Sequence, residues 1–321
     1  MNFKKKVGLG TFPFSNVFSE VNQNIAEEIV DAFILNGGEY IETAPVYPQK
    51  NVDLGQIFKN YNRDKLYIAS KCVTGVGSNG EKMRSGKWSH LLFQAENELK
   101  RLNIDKLDLL QSHIIPSDIR LEELGENLQK LKDEGFTKSI GVSNVDLYSL
   151  RILNQCCDLT LVQNRFSLLH QSSQRQLETF CLNNGIGLNP FQVIERGLLT
   201  TRPSNNGNWN ENDLRSKKFE YNNEQYLVIR NWAEKELIPL AEETGVSLEK
   251  LVVYWVGKQP AVKLSVIGAT KKEQILALMN ERVDLDDNKD ILEKVNESYN
   301  NICLKIKSKY NLTIEEFRGL V

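Results

Sequence analysis

Apolar positions along the chain come in two alternating patterns. Short runs such as Val7-Gly8-Leu9-Gly10, Tyr40-Ile41 and Leu66-Tyr67-Ile68-Ala69-Ser70 are apolar or small at successive positions, the pattern of strands buried on both faces. Further strands are predicted at Leu107 to Gln111, Ser139 to Val142, Leu159 to Gln163, Ile186 to Asn189 and Val262 to Ile267. Between them apolar residues recur at helical spacing, first from Ile25 to Leu35, where Gly37-Gly38 ends the helix. The same spacing predicts helices at Val52 to Phe58, Leu91 to Leu102, Leu121 to Glu134, Leu147 to Asn154, Gln174 to Asn183, Tyr226 to Thr244, Leu248 to Gly257 and Lys272 to Met279. The glycine-rich stretch Thr74 to Gly86 reads as a loop, and the polar stretch Pro203 to Asn223 as a long ordered one.

Eight buried strands, each followed by a helical segment, call for a parallel sheet. Eight such units favour a closed (β/α)8 TIM barrel of the α/β class over an open doubly wound sheet. No G-x-G-x-x-G lies between a strand and a helix, which argues against a Rossmann fold. The expectation is one domain spanning residues 1–321, with a core at about 6–282 and a C-terminal helical extension at about 283–321. Asp290 to Asn300 is expected to be helical and to pack on the outside of the barrel.

Composition narrows the picture by exclusion. In 321 residues the formal charge is −2, so no electrostatic ground exists for a nucleic-acid or anionic-membrane partner. No apolar run approaches the roughly 18 residues of a spanning helix. Met1-Asn2-Phe3-Lys4-Lys5-Lys6 is basic but lacks the apolar centre of a signal peptide. The five cysteines are odd in number and show no C-x-x-C spacing, as expected of a reduced, cytoplasmic chain. His90 and His170 lack ligand partners at usable spacing, so no metal site is expected.

In a barrel of this kind chemistry is expected at the carboxyl ends of the strands. Glu42 and Tyr47 follow the second strand, Lys71 ends the third and His113 follows the fourth. A phenol with a pKa of about 10 is a poor acid near neutrality. A neighbouring ammonium is expected to lower that pKa, a carboxylate to fix the ammonium, and an imidazole to orient a carbonyl oxygen. None of these side chains carries hydride, so carbonyl reduction here needs a reduced nicotinamide.

Several motifs then match one family in order. They are Val7-Gly8-Leu9-Gly10-Thr11, Glu42-Thr43-Ala44 with Tyr47, Ile140-Gly141-Val142-Ser143-Asn144 and Val162-Gln163-Asn164-Arg165-Phe166-Ser167, followed by Arg196-Gly197-Leu198-Leu199-Thr200 and Val266-Ile267-Gly268-Ala269-Thr270. Through them the chain resembles the aldo-keto reductases over about residues 6 to 282. The resemblance implies a metal-free, NADP(H)-linked oxidoreductase, with NAD(H) as the other cofactor to test and a small-molecule carbonyl as substrate, a sugar or sugar-derived ketone included. It implies Tyr47 as general acid, Lys71 as its partner with Glu42, and His113 as the carbonyl-orienting residue. Ser143, Asn144 and Gln163 would hold the nicotinamide carboxamide and Phe191 would stack on its ring. Gly268, Thr270, Lys271 and Gln274 would hold the 2′-phosphate and adenosine, with free amides at a helix N-terminus and the charges of Lys271 and Lys272 as the attraction.

The chain departs from the family at named positions. Glu42 stands where aspartate is usual, Val193 where proline is, Glu195 where glycine is common, and Leu278 where an adenine-contacting asparagine is common; Asn280 lies two residues further on. Substrate-pocket walls are expected from Phe12, Phe14, Trp88, Ile114 and Trp209, and Cys72 is expected in the core. The alternative reading is a non-catalytic or weakly active cofactor-binding module, with Glu42 marking a relaxed site.

Overall fold

The strands, in chain order, are β1 (Val7–Gly10), β2 (Tyr40–Glu42), β3 (Tyr67–Cys72), β4 (Thr74–Val76), β5 (Lys82–Arg84), β6 (Leu107–Ser112), β7 (Thr137–Ser143), β8 (Leu159–Gln163), β9 (Gly187–Leu188) and β10 (Ser265–Gly268) in a computed structural model. It describes residues 3–47, 51–76, 81–172, 174–202, 209–221, 223–279, 285, 288 and 290–319. Eight strands form one sheet, in the order β10-β1-β2-β3-β6-β7-β8-β9, with every pairing parallel. The sheet curls round on itself. Isolated parallel bridges Leu188↔Val262 and Phe191↔Val266 join its two edges, supported by Lys263 N–H to Leu188 O at 2.8 Å and Val266 N–H to Pro190 O at 2.8 Å. The predicted (β/α)8 barrel is the observed fold.

The helices are α1 (Gln23–Leu35), α2 (Leu54–Phe58), α3 (Trp88–Leu102), α4 (Leu121–Asp133), α5 (Leu147–Cys156), α6 (Gln174–Asn183), α7 (Asn223–Trp232), α8 (Ile238–Glu243), α9 (Leu248–Gly257), α10 (Lys272–Met279), α11 (Ile291–Tyr310) and α12 (Ile314–Phe317). Their starts follow local chemistry: Asn22 accepts from Ile25 N–H at 3.1 Å and Asp146 from Ser149 N–H at 2.8 Å. The segment read as one helix from Tyr226 to Thr244 is α7 and α8 joined by a π-helical turn, Ala233–Leu237. Pro239, which has no N–H to donate, sits at the start of α8 just after that turn.

Strand alternation sorts side chains into two cores. Tyr40, Ala69, Leu109, Leu161, Leu264 and Val266 form the filling of the barrel. The larger cluster, with Leu9, Ile41, Ile68, Leu110, Val142 and Val162, lies between the strands and the helices. At the amino-terminal end of the barrel Phe3 packs edge-on against Tyr40 and Tyr67, centroids 5.5 and 5.2 Å away.

The structure differs from the sequence reading in two further places. The stretch read as a glycine-rich loop carries an antiparallel hairpin, β4 with β5, paired Thr74↔Arg84 to Val76↔Lys82. The last long helix reaches Tyr310 rather than Asn300, and it is fastened by Trp232 Nε1–H to Ser298 Oγ and Trp255 Nε1–H to Asn296 Oδ1, each at 2.9 Å. Among the described residues no helix is long and apolar enough to cross a membrane.

At Gly141 the β7–β8 register shifts, and a Cβ there would lie 2.6 Å from the backbone oxygen of Leu161. Backbone cannot yield as a side-chain tip can. Gly141→Ala is therefore expected to lower stability by about 1–3 kcal/mol, read as a lower urea midpoint at unchanged slope.

Candidate active site

The site is where the inward alternation turns polar. On β2, Tyr40 is followed two residues on by Glu42; on β3, Ala69 by Lys71; on β6, Leu109 by Gln111; on β8, Leu161 by Gln163. The first member of each pair belongs to the barrel filling and the second lies one layer nearer the carboxyl end. Glu42, Lys71, Gln111 and Gln163 are all buried. Ladder bonds continue past the strand ends, Thr43 N–H to Ala69 O at 2.9 Å, His113 N–H to Cys72 O at 3.1 Å and Asn144 N–H to Gln163 O at 3.2 Å. These fix the first loop residues as firmly as strand residues.

Glu42 is in contact with Lys71 through Oε1, so the longer arm reaches its partner. The same oxygen accepts from Tyr47 Oη–H at 3.0 Å, and Lys71 Nζ donates to Tyr47 Oη at 3.1 Å. A Cβ on Gly10 would lie 2.9 Å from Val266 Cγ1, so the bare glycine makes room for the Val266 side chain beside Glu42. The His113 ring stands edge-on to Tyr47, centroids 6.1 Å apart. The structure thus brings together all four residues expected from the strand ends.

Electrostatically the set departs from expectation at Tyr47. Burial pushes its phenol up, with the Tyr40 phenol adding, where Lys71 was expected to bring it down. The reason is burial, which penalises the phenolate; Tyr47 Oη–H also donates to Glu42 Oε1. Burial pulls Lys71 itself down, to about 7, while Glu98 acts in the other direction; the Glu42 contact adds to that opposing force. His113 is lowered to about 3 by burial, then by Lys71 and Arg84, so its ring is neutral near pH 7. Its Nδ1 has no partner among the described residues.

Two supporting groups escaped the sequence reading. Gln111 donates through Nε2 to Gln163 Oε1 at 2.9 Å; the signal for it was a polar residue in phase with Leu109 and His113. Behind Lys71, buried Glu98 accepts from Ser70 Oγ at 2.5 Å and from both Arg101 Nε and Nη2, at 2.8 and 2.7 Å. Arg101 Nη2 reaches Thr43 Oγ1 at 3.1 Å, tying α3 to the loop after β2.

Ser143, Asn144, Gln163 and Phe191 gather at the same mouth. Ser143 Oγ donates to Gln163 O at 2.7 Å, and Asn144, at φ +53°, donates through Nδ2 to His113 O at 2.9 Å. Asn144 Oδ1 and Gln163 Nε2 carry no hydrogen bond among the described residues, an acceptor and a donor that match a carboxamide. Phe191 is half-buried over the barrel filling, held by its N–H to Asn164 O at 3.1 Å. A nicotinamide therefore fits this end.

The other end differs from expectation. The amides expected to be free are occupied: Thr270 N–H and Lys271 N–H donate to Gln274 Oε1 at 2.8 and 3.3 Å. The exposed Gln274 side chain caps its own helix, and a phosphate has to displace it. Lys272 pairs with Glu28 at 2.9 Å. Gly268 is exposed at the end of β10, where a Cβ would lie 2.5 Å from Pro13. Leu278 is buried in the core, and Asn280 lies outside the described residues.

Among the expected pocket walls, Phe12 lies edge-on to Tyr47 at 5.2 Å and to Phe18 at 6.1 Å. Phe14 is not a wall: the 3-10 turn Phe12–Ser15 turns it fully into the core. Trp88 lies under Lys130, 3.9 Å from its ring centroid, and Trp209 packs on Tyr221, Tyr226 and Arg215. Ile114 is partly buried against the outer core. Cys72 is a buried core residue whose thiol burial pushes up to about 12. His90 bonds Val73 O at 3.2 Å, and no group of three or more metal-ligating residue types is assembled among the described residues.

The loop after β9 holds the densest charge. Val193 is buried in the core, while Gln192, Glu195 and Arg196 adopt φ of +57°, +49° and +48°. Glu195, fully buried, accepts from Arg165 Nη2 at 2.6 Å, from Arg318 Nη2 at 2.9 Å and from Ser167 Oγ. Burial pushes its carboxyl up, but the Arg318 and Arg165 charges and the hydrogen bonds override that and hold it down at about 2.

Comparison with known proteins accords with this geometry. The chain is 27% identical to the aldo-keto reductase YhdN of Bacillus subtilis over 281 residues, 85% of this chain and 83% of that one. It is 28% identical to an NADH-specific methylglyoxal reductase of Escherichia coli over 255 residues, 74% of this chain and 77% of that one. The fold is similar to that of a glycerol dehydrogenase from Gluconobacter oxydans, with TM-score 0.79 at 22% identity over 92% of each chain. It is also similar to an aldo-keto reductase from Klebsiella pneumoniae in complex with NADPH, with TM-score 0.64 at 21% identity over 89% of each. The model of the aldo/keto reductase family matches residues 6–296, and the chain belongs to that family.

Proposed function

We propose that this oxidoreductase reduces a small polar aldehyde or ketone with NAD(P)H, and that Tyr47 is its general acid. The observation that carries the reading is the Tyr47 hydroxyl, which faces Lys71 Nζ at 3.1 Å and Glu42 Oε1 at 3.0 Å with the neutral His113 ring beside it. The nicotinamide supplies hydride to the carbonyl carbon when bound. Ser143, Asn144 and Gln163 would hold its carboxamide, and Phe191 would stack on its ring face. Neutral His113 donates a hydrogen bond to the carbonyl oxygen and orients it.

Tyr47 then moves its proton from Oη to that oxygen as negative charge develops there. The proton has to turn away from Glu42, and the Lys71 ammonium stabilises the phenolate left behind. Glu42 keeps Lys71 charged and in place. Phe12 closes over Tyr47 and excludes water from the transfer. Small polar substrates accord with the methylglyoxal and glycerol named for two relatives, and a sugar-derived carbonyl remains within that class. Lys271, exposed beside the α10 amides, favours a 2′-phosphate and hence NADPH.

Tyr47→Phe is expected to abolish turnover in a screen of short aldehydes and ketosugars while NADPH still quenches protein fluorescence. Turnover retained in that variant sinks the mechanism, and cofactor binding without turnover in the unaltered chain favours the non-catalytic module. Tyr47 Oη already lies at hydrogen-bond distance, 3.0 Å, from Glu42 Oε1, so the shorter arm of Glu42→Asp lengthens that bond and is expected to lower kcat tenfold or more; a faster Asp variant would contradict this. Lys271→Ala is expected to weaken NADPH binding about tenfold, about 1.4 kcal/mol, with NADH unaffected. Equal losses for both nucleotides would remove the phosphate from Lys271.

A further inference from the structure

Three residues within five, Gln192, Glu195 and Arg196, have positive φ without being glycine. Such a run persists only where its surroundings over-determine it. Here the restraints are visible. Tyr221 Oη–H donates to Glu195 O at 2.8 Å, Arg215 Nη1–H donates to Arg196 O at 3.1 Å, and Arg196 Nη1 reaches Glu220 at 3.2 Å. All of these come from residues 195–221. Arg165 Nη2 and Ser167 Oγ hold the Glu195 carboxylate from the loop after β8, and one further restraint arrives from far along the chain. Arg318, fully buried, meets a single acceptor among the described residues, Glu195 Oε2, and its Nε and Nη1 have none.

The segment that carries Arg318 is itself fastened to the neighbouring loop. Glu315 on α12 accepts from Gln171 N–H at 2.7 Å, from Ser172 N–H at 2.9 Å and from Ser172 Oγ. The residues around α12 therefore join the loop after β8 to the loop after β9. Phe191 lies between those two loops, bonded through its N–H to Asn164 O and through its carbonyl to Phe166 N–H at 3.4 Å, with Arg165 bridged beside it.

We propose that Arg318 is a positioning residue for cofactor binding: paired with Glu195, it holds the left-handed loop that presents Phe191, although it touches neither cofactor nor substrate itself. The proposal rests on Phe191 being the nicotinamide platform. Glu195 and Arg318 then depend on each other. Glycine at 195 would adopt the same φ without a side-chain anchor, whereas glutamate there needs its counter-ions. A loop ordered only part of the time weakens cofactor affinity by the fraction ordered and leaves the chemical step of the bound complex nearly unchanged.

The test is fluorescence titration of the full chain with NADPH and NADH, alongside kcat at saturating cofactor and the heat unfolding of ligand-free protein. Arg318→Met is expected to raise the NADPH dissociation constant about tenfold with kcat changed less than about threefold. Arg318→Lys keeps a charge facing Glu195 and is expected to bind within about threefold of the unaltered chain. The double variant Glu195→Gly with Arg318→Met is expected to recover binding to the same range, with a melting temperature above that of Arg318→Met alone. Binding unchanged in Arg318→Met, or Arg318→Lys as weak as Arg318→Met, overturns the proposal. If Arg318→Met fails to fold, the double variant alone decides, since a folded but weak binder overturns it and a folded tight binder supports it. An unaltered chain that binds neither nucleotide overturns the functional reading itself, a result distinct from any failure confined to the variants.

Discussion

A charged amine cannot be left alone inside a barrel, and the arrangement of the mouth follows from that. Lys71 is buried one layer above the apolar filling, where an uncompensated charge costs several kcal/mol. Glu42 meets it from the adjacent strand, and the parallel β2–β3 register, with Glu42 opposite Ala69, is what sets the two within reach. Tyr47 completes the cluster by bonding both, so the loop after β2 is drawn in over the barrel. Arg101 and Glu98 brace the same corner from α3, Arg101 through Thr43. The proposed catalytic geometry and the solution to a buried charge are one construction.

The trade between burial and charge also corrects a simple view of the acid. A phenol beside an ammonium is expected to ionise more easily, yet here burial wins and the phenol is held protonated. That state suits the proposed role of Tyr47, giving up a proton in the transition state. The ammonium acts when the proton leaves, as the phenolate forms.

Much of this was legible in the chain because it rests on local periodicity. Strand ends could be placed from runs of buried residues, and polar residues at those ends, Glu42, Lys71 and His113, stood out by their type. Gln111 did not stand out, since an amide within an apolar strand carries no chemical signature until alternation shows which way it faces. Phe12 and Phe14 look alike in sequence, and only the 3-10 turn separates a wall from a core residue. The β4–β5 hairpin was hidden by glycines that read as loop. The Gln274 cap defeated the expectation of free amides because a side chain four residues on from Thr270 folds back. Arg318 lies 123 residues from Glu195, a separation at which no local pattern operates.

The aromatic trio of Phe3, Tyr40 and Tyr67 at the amino-terminal end has a wider bearing. Tyr40 and Tyr67 stack 5.4 Å apart and Phe3 closes on both, so the barrel has a floor. Above that floor come Ala69, Leu109 and Leu161, apolar side chains that carry no donor or acceptor of their own. The floor makes the interior a cup open at the mouth, and in the proposed mechanism the proton that Tyr47 gives up is replenished from that open side. On that reading acid–base traffic and molecular traffic share one doorway, and whatever fills the mouth also sets when the tyrosine is recharged.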